Sequence, residues 1–428
     1  MAPPPIATPS PDICWRVLPL VQNTNFFGRK DELGYLNSII DPKGNDKLSI
    51  VSIVGEGGVG KSQLALQFAY THLDAFGAIF WVAADNLVKM AQGFEGVAME
   101  LNLFGASNPP SSLAVAREAV KWLQRTPHKW LLIFDNVDTM SSLDDYWPTG
   151  ARGFVIITSR NQNLIQPPIS ATLHLKCFNT EDGVRFILEG MAPTTAHPPR
   201  HDDRAEQDAT HICNACGGLP LALAQVLRYI RASSVSLSGA RDLCYNAESF
   251  VSVDSRLNKI RQPDYYHGLG TASLWEVSLR SLDPPCRTLS QLFSHFDPDG
   301  IPKRLHVAID LPTPISRLEG STSIMSLLHH SLIAKTTSTQ TYTMQRLIQA
   351  TIVHDMSNSD RSDIYQLALN LVDHVFPEYE NDRLIYSWPE CGLYLPHVTR
   401  LSELFSPSIP YGVDVHLKLG QLLERASW

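Results

Sequence analysis

The sequence has no apolar run long enough to cross a membrane. No stretch approaches the roughly 18 to 20 uninterrupted apolar residues of a membrane span, and residues 1–10 lack the charged and apolar regions of a secretory signal. The seven cysteines are odd in number and scattered, so disulfide bonds are not expected. These absences predict a cytoplasmic protein that has no membrane partner.

An excess of positive charge is also lacking. The 428 residues include 35 Lys and Arg against 43 Asp and Glu, a formal net charge of −8. This balance argues against nucleic acid as a partner, although a local basic patch stays open. What the chain does have is 44% hydrophobic residues, enough to bury cores in about two to four domains.

The most informative segment is 55–62, which reads Gly-Glu-Gly-Gly-Val-Gly-Lys-Ser. It is a complete phosphate loop between the apolar run 48–54 and the helical stripe 63–70. Its glycines let backbone N–H groups approach a β-phosphate, while Lys61 would neutralise phosphate charge and Ser62 would hold Mg²⁺. A glycine-rich turn without a ligand is the alternative. The residues expected to bind nucleotide here are Gly55, Gly57, Gly58, Val59, Gly60, Lys61, Ser62 and Gln63.

A phosphate loop needs a carboxylate that positions Mg²⁺. The apolar run 131–134 ends at Asp135, the place expected for a Walker B acid at the carboxyl edge of a sheet. Asp135 is therefore the candidate metal ligand and catalytic residue, with a strand-ending turn Asp as the alternative. The next residue is Asn136, and an amide cannot act as a general base. We therefore expect slow ATP hydrolysis unless Asp138 or another acid substitutes.

A second catalytic candidate follows the next apolar run. Residues 154–158 lead directly into Ser159 and Arg160. A guanidinium suits contact with phosphate oxygens, so Arg160 at a strand tip would reach a γ-phosphate and report its presence. An exposed surface arginine is the alternative.

Short apolar runs alternate with helical segments through the first part of the chain, which predicts an α/β fold: a P-loop NTPase parallel sheet with helices on both faces. Helical periodicity then predicts a helical subdomain, and helices followed by a two-stranded hairpin suggest a winged-helix domain. The predicted divisions are a linker at 1–24, a nucleotide-binding domain at 25–178, a helical subdomain at 179–253, a winged-helix domain at 270–355 and a helical region at 356–428.

Three further motifs complete a resemblance to a known family. They are Phe27-Gly28-Arg29, the Gly-Leu-Pro-Leu-Ala run at 218–222, and Met344-Gln345. With the phosphate loop, they resemble the NB-ARC nucleotide-binding switches of the STAND class, as found in plant and fungal immune receptors. The resemblance implies that Arg29 touches the base side of the nucleotide and that Pro220 packs on the adenine. Gln345 stands where the family has a histidine that contacts the ADP β-phosphate in the closed state.

The resemblance also implies a function. We expect a switch that ADP holds closed and that ATP, with Mg²⁺, opens for assembly with protein partners, including a homo-oligomer on activation. An effector domain before the switch and a tetratricopeptide array after it are further implied. Residues 417–428 look like the start of such an array cut off early, so we expect a truncated or diverged fungal member, or one half of a split system.

Three alternatives stay open. The first is an ATP-gated transcription regulator that reads DNA with the winged helix, although its expected recognition helix at 321–330 has no Lys or Arg. The second is an ordinary ATPase, and the third is a diverged pseudo-switch that binds nucleotide without signalling. Gln345 also has a simpler interpretation, in which it only caps the wing.

Overall fold

The computed structural model divides into two compact units, Met1–Lys176 and Cys177–Trp428. Most of the predicted linker at 1–24 and the stretch 243–278 lie outside the described residues. The finer domain divisions stay predictions. The structure describes residues 14–19, 22–39, 48–104, 112–149, 153–161, 164, 168–191, 203–242, 279, 282–307, 317–330, 332–336, 341–377 and 384–426.

The first unit is built on a six-stranded sheet in the order β1-β3-β4-β5-β2-β6, and every neighbouring pair is parallel. Its strands are β1 (Trp15–Val17), β2 (Ser49–Val54), β3 (Ala78–Ala83), β4 (Trp130–Asp135), β5 (Gly153–Ser159) and β6 (Ala171–His174). In register, Ile53 pairs with Thr158 and Phe134 pairs with Ile157. The carboxyl ends of β2, β4 and β5 therefore meet at one edge, where ligands bind in open parallel sheets.

Helices cover both faces of this sheet, as predicted. They are α1 (Lys30–Ile39), α2 (Lys61–Thr71), α3 (Leu87–Glu100) and α4 (Ser112–Arg125), with a 3₁₀ turn at Met140–Tyr146. On one face Phe94 of α3 joins a fully buried cluster with Leu132 and Val155 of the sheet. On the other face, the ring of Phe68 in α2 lies 5.6 Å from that of Phe154 in β5. Strands buried on both faces explain the nearly continuous apolar runs in the sequence.

Strand β1 lies inside the stretch predicted to be a linker, and this part of the prediction is wrong. Trp15 and Val17 pair in register with Ala78 and Phe80, so β1 is a parallel edge strand of the sheet. The guanidinium of Arg16 donates hydrogen bonds to the carbonyl oxygens of Leu73, Phe76 and Gly77. A three-residue strand is too short to give a period-two signal, and this explains the error.

The second unit opens with helices α5 (Thr180–Met191), α6 (Asp203–Ala215) and α7 (Pro220–Ser233). After α8 (Pro284–Phe293) comes a three-stranded antiparallel sheet in the order β7-β9-β8. The associated elements are β7 (Ile301–Pro302), α9 (Lys303–Val307), α10 (Arg317–His329), β8 (Ala334–Thr336) and β9 (Thr341–Thr343). The β8–β9 hairpin was predicted, and the winged-helix assignment itself stays a prediction.

Four helices complete the second unit: α11 (Arg346–Asp355), α12 (Asn358–Val375), α13 (Leu384–Leu404) and α14 (Val413–Ala426). Buried residues such as Phe293 of α8, Leu369 of α12 and Leu422 of α14 belong to one continuous core. Among the helices that the structure describes, none is both long and apolar enough to span a bilayer.

Candidate functional site

The predicted phosphate loop connects β2 to α2. Gly58 and Gly60 have φ values of 84° and 100°, the left-handed region that favours glycine. A Cβ at Gly55 would lie 2.4 Å from the carbonyl oxygen of Leu175, so a side chain there would clash with backbone. Gly60 is the N-cap of α2 and no side chain caps this end. The first N–H groups of α2 therefore present partial positive charge to an anion.

Lys61 is buried beneath this loop, with 8% of its surface exposed. Its Nζ donates hydrogen bonds of 2.8 Å each to the carbonyl oxygens of Gly55 and Glu56. Burial, aided by the positive charge of Arg160, lowers the pKa of Lys61 to about 8, against the opposing charges of Asp135 and Glu56. The negative charge of a bound phosphate would stabilise the protonated form of Lys61 and raise its pKa.

Nucleotide affinity should therefore fall above pH 8. The pKa of Lys61 is about 8 in the free protein, and a bound phosphate raises it, so binding above pH 8 requires proton uptake. Affinity should be constant below that pH and should decrease by up to about tenfold per pH unit above it. Calorimetric titration with ADP from pH 7 to 9.5 measures this, with Lys61→Arg as the control that stays charged throughout. A flat profile in the wild type would contradict the expectation.

Asp135 ends β4 beside the loop. Its Oδ1 accepts hydrogen bonds from Ser62 Oγ at 2.7 Å and from Thr158 Oγ1 at 2.5 Å. A hydroxyl and a carboxylate are the oxygen ligands that Mg²⁺ prefers, beside the place where phosphates would bind. The donor set of Ser62 and Asp135 therefore fits the predicted Mg²⁺ site.

Asn136 follows this acid in the left-handed conformation, with φ of 65°. Its N–H donates to Thr158 Oγ1 at 2.8 Å. Asn is one of the few residues that adopt this conformation readily. The turn explains why an amide is accepted at this position, although it supplies no general base.

Arg160 lies close to the phosphate loop. A Cβ built on Gly57 would be 3.6 Å from the guanidinium carbon of Arg160, and the charge of Arg160 also acts on Lys61. Two cationic groups therefore converge on the loop, together with the N-terminus of α2.

Arg29 also contacts the phosphate loop, through the carbonyl oxygen of Val59. The residue is left-handed, with φ of 59°, and its guanidinium donates to Val59 O at 3.2 Å and to Lys176 O at 2.8 Å. It also forms an ion pair with Glu32 at 2.9 Å. Its bonds to backbone oxygens of the loop and of the segment after β6 were not predicted, because sequence motifs do not indicate such partners.

Replacing Arg29 by Gln should destabilise the first unit by about 1–2 kcal/mol, because two carbonyl oxygens lose charge-assisted donors. Thermal unfolding followed by fluorescence should show a lower melting temperature and a smaller upward shift with ADP. Arg117→Gln is the matched control, since Arg117 is 58% exposed in the same unit and forms a surface ion pair of 3.4 Å. Equal melting temperatures for the two variants would contradict the expectation.

The remaining predicted residues of the loop are Val59 and Gln63. Val59 is 1% exposed, and its carbonyl oxygen is the acceptor for Arg29. Gln63 lies in the first turn of α2 and accepts a hydrogen bond of 3.0 Å from Asn23 through its side chain. This bond engages Oε1 only, so a contact of Gln63 with a phosphate would use its side-chain NH₂ group or its backbone N–H.

Pro220 and Gln345 lie in the second unit. Pro220 is the first residue of α7, where a proline is well tolerated. Gln345 is the N-cap of α11 but forms no side-chain capping bond. Its Oε1 instead accepts a hydrogen bond of 3.1 Å from Nε2 of Gln225. Its side chain is therefore tied to α7, and the role of Gln345, at a nucleotide or as a cap of the wing, stays a prediction.

The parallel sheet, the loop between β2 and α2, and the convergence of Lys61, Ser62 and Asp135 at one edge define a P-loop NTPase. The NB-ARC domain profile matches residues 34–195. The chain therefore contains an NB-ARC domain over these residues. A second profile, a domain of unknown function named DUF7779, matches residues 277–361.

Curated relatives are distant and longer. A nucleotide-binding leucine-rich repeat (NLR)-like protein of Hyaloscypha variabilis is 22% identical over 413 aligned positions, and the alignment covers 89% of this chain and 40% of that protein. A putative disease resistance protein of Arabidopsis thaliana is 24% identical over 323 aligned positions, and the alignment covers 72% of this chain and 36% of that protein. The chain thus spans well under half the length of these relatives.

Among solved structures, a STAND protein with a tetratricopeptide repeat sensor from Pyrococcus horikoshii is similar in fold. The likeness has a TM-score of 0.50 at 16% identity, and it covers 94% of this chain and 50% of that one. At this identity the likeness concerns the fold alone. The assignment of α12 to α14 to a truncated repeat array stays a prediction.

Proposed function

We propose that this chain is the switch of a nucleotide-dependent signalling protein, which ADP holds closed and which ATP opens for assembly with protein partners. The observation that carries the proposal is a phosphate loop in which Ser62 contacts Asp135 beside the buried Lys61, followed by Asn136 in place of an acid. Such a site binds a triphosphate but hydrolyses it slowly, because an amide does not activate water. Because turnover is slow, the protein would stay in its ATP-bound or ADP-bound conformation long enough for that conformation to act as a signal.

The residues of the first unit have distinct roles in this proposal. The N–H groups of the loop and of α2 bind the β-phosphate, and Lys61 neutralises its charge. Ser62 and Asp135 would hold Mg²⁺, which supplies further neutralisation of the phosphates. Arg160, beside Gly57, is placed to detect a γ-phosphate. ATP and ADP thereby differ in their contacts with the protein, and this difference is what a switch requires.

The closed state would add contacts from the second unit, with Pro220 on the adenine and Gln345 on the β-phosphate. The resemblance to NB-ARC switches supports these two roles. The hydrogen bond from Gln225 engages the oxygen of the Gln345 amide, so its NH₂ group is the end that can donate to a phosphate. Phosphate oxygens only accept hydrogen bonds, and an amide oriented in this way is suitable.

The first experiment is to denature the purified protein and identify the nucleotide released. We expect ADP at about one per chain, as a closed resting state requires. A folded protein that releases no nucleotide would contradict a resting state held by ADP, and would indicate a degenerate site or one that exchanges nucleotide freely.

Gln345→Ala tests the contact proposed for the closed state. Loss of one hydrogen bond to a charged phosphate should speed ADP release by about 10- to 150-fold, since such bonds contribute about 1.5–3 kcal/mol. Release of a fluorescent ADP analogue measures this rate. Gln421→Ala, an exposed residue on α14, is the control, and equal release rates for both variants would contradict the contact.

The relatives support a signalling role because two of them are named as disease resistance and NLR-like proteins. Partners and the oligomer formed on activation belong to the proposal. Size measurement by light scattering after exchange of ADP for a slowly hydrolysed ATP analogue tests them, and a monomer in both states would contradict homo-oligomer formation.

A further inference from the structure

The hydroxyl group of Thr158 connects the candidate Mg²⁺ ligand to the residue that follows it. Thr158 is 1% exposed near the end of β5. Its Oγ1 accepts the N–H of Asn136 at 2.8 Å and lies 2.5 Å from Oδ1 of Asp135. A hydroxyl has a single proton, and a carboxylate oxygen can only accept it. The Thr158 hydroxyl therefore donates to Asp135 and accepts from Asn136.

Two hydroxyl groups donate to the same oxygen of Asp135, because Ser62 Oγ lies 2.7 Å from Oδ1 as well. These two bonds fix the rotation of the carboxylate. Ser62 lies at the loop that receives the phosphates. Thr158 instead belongs to a strand that is paired on both sides, with β4 and with β2. Thr158 is thus the more rigid of the two donors.

The backbone of Thr158 strengthens the same connection. Its carbonyl oxygen accepts the N–H of Val137 at 2.9 Å. The side chain and the backbone of one residue thereby hold the turn that begins at Asn136, directly after Asp135. The position of the acid therefore depends on β5 as well as on its own strand.

We propose that Thr158 is a positioning residue that orients Asp135 and thereby sets the affinity of the nucleotide site for Mg²⁺. The inference rests on the proposed nucleotide and Mg²⁺ site. Loss of a residue that orients a metal ligand typically lowers metal affinity by about 10- to 100-fold. Thr158 itself would touch neither the metal nor the nucleotide.

The test uses Thr158→Val, which keeps the shape of the side chain and removes the hydroxyl. ADP binding is measured by calorimetry in EDTA and across a Mg²⁺ titration. We expect the Mg²⁺ midpoint to rise by about 10- to 100-fold, with ADP affinity in EDTA unchanged within about twofold. Thr158→Ser restores the hydroxyl and should return the midpoint to near the wild-type value. Thr158→Ala replaces the valine variant if circular dichroism shows that the latter is unfolded.

The matched control is Thr172→Val. Thr172 also forms a hydroxyl hydrogen bond within the sheet, at 2.9 Å to Ser52, but its partner is not a candidate ligand. Its loss should leave the Mg²⁺ midpoint unchanged, and this result separates a specific effect from a general weakening of the sheet.

Different outcomes distinguish the inference from the proposed function. An unchanged Mg²⁺ midpoint in Thr158→Val, or an equal loss of ADP affinity with and without Mg²⁺, would overturn the inference alone. Wild-type protein that binds no ADP, or binds it with no effect of Mg²⁺, would overturn the proposed site and the inference together.

Discussion

Lys61→Ala should weaken ADP and ATP binding by about 100-fold or more while the fold stays intact. The ammonium group would make charge-assisted hydrogen bonds to phosphate oxygens in a buried site, which contribute about 3 kcal/mol together, and every 1.4 kcal/mol is about tenfold in affinity. The cost to folding should be small, because Lys61 is a desolvated cation whose pKa is lowered to about 8. Calorimetry measures the affinity, and circular dichroism measures the fold.

Lys129→Ala is the matched control for this variant. Lys129 is an exposed lysine of the same unit, so its loss changes the net charge equally. Its ADP affinity should stay within about twofold of the wild type, because exposed charges contribute little. Similar ADP affinities for the two alanine variants would refute the role of Lys61.

Asn136→Asp should raise the rate of ATP hydrolysis by about 100-fold. A positioned general base typically contributes 10²- to 10⁴-fold, and the lower value is expected because the turn has not been optimised for an acid. Asp adopts the left-handed conformation nearly as readily as Asn, so φ of 65° is retained. The rate is measured as phosphate release at saturating ATP, because the added negative charge will also weaken ATP binding.

Asn136→Gly separates chemistry from backbone conformation. Glycine accepts the same φ at no steric cost and has no carboxylate, so it should hydrolyse ATP as slowly as the wild type. If the aspartate and glycine variants have the same rate, this position does not limit hydrolysis, and Asp138 becomes the next residue to test.

The main features of the nucleotide site follow from local sequence patterns. The end of strand β4 could be predicted because the buried apolar run stops at Asp135. The phosphate loop could be predicted from the spacing of Gly55, Gly60 and Lys61. These signals are local, since buried parallel strands and glycine turns depend on neighbouring residues.

Contacts between distant segments were not predicted. Thr158 and Asp135 are separated by 23 positions, and Gln225 and Gln345 by 120. Nothing in the sequence around Thr158 distinguishes a hydroxyl that orients a carboxylate from one that fills a strand. Such pairs depend on strand order and helix packing, which a single sequence does not reveal.

Strand β1 has a practical consequence for anyone who prepares the nucleotide-binding unit in isolation. A fragment that starts at the predicted boundary, residue 25, or at the start of the profile match, residue 34, would leave out residues 15–17. The hydrogen-bonding edge of β3, including Phe80, would then be uncovered, and an uncovered apolar edge is prone to pair with other molecules. The carbonyl oxygens of Leu73 and Phe76 would also lose their donor, Arg16. The shortest fragment that remains dispersed in solution should therefore begin before Trp15.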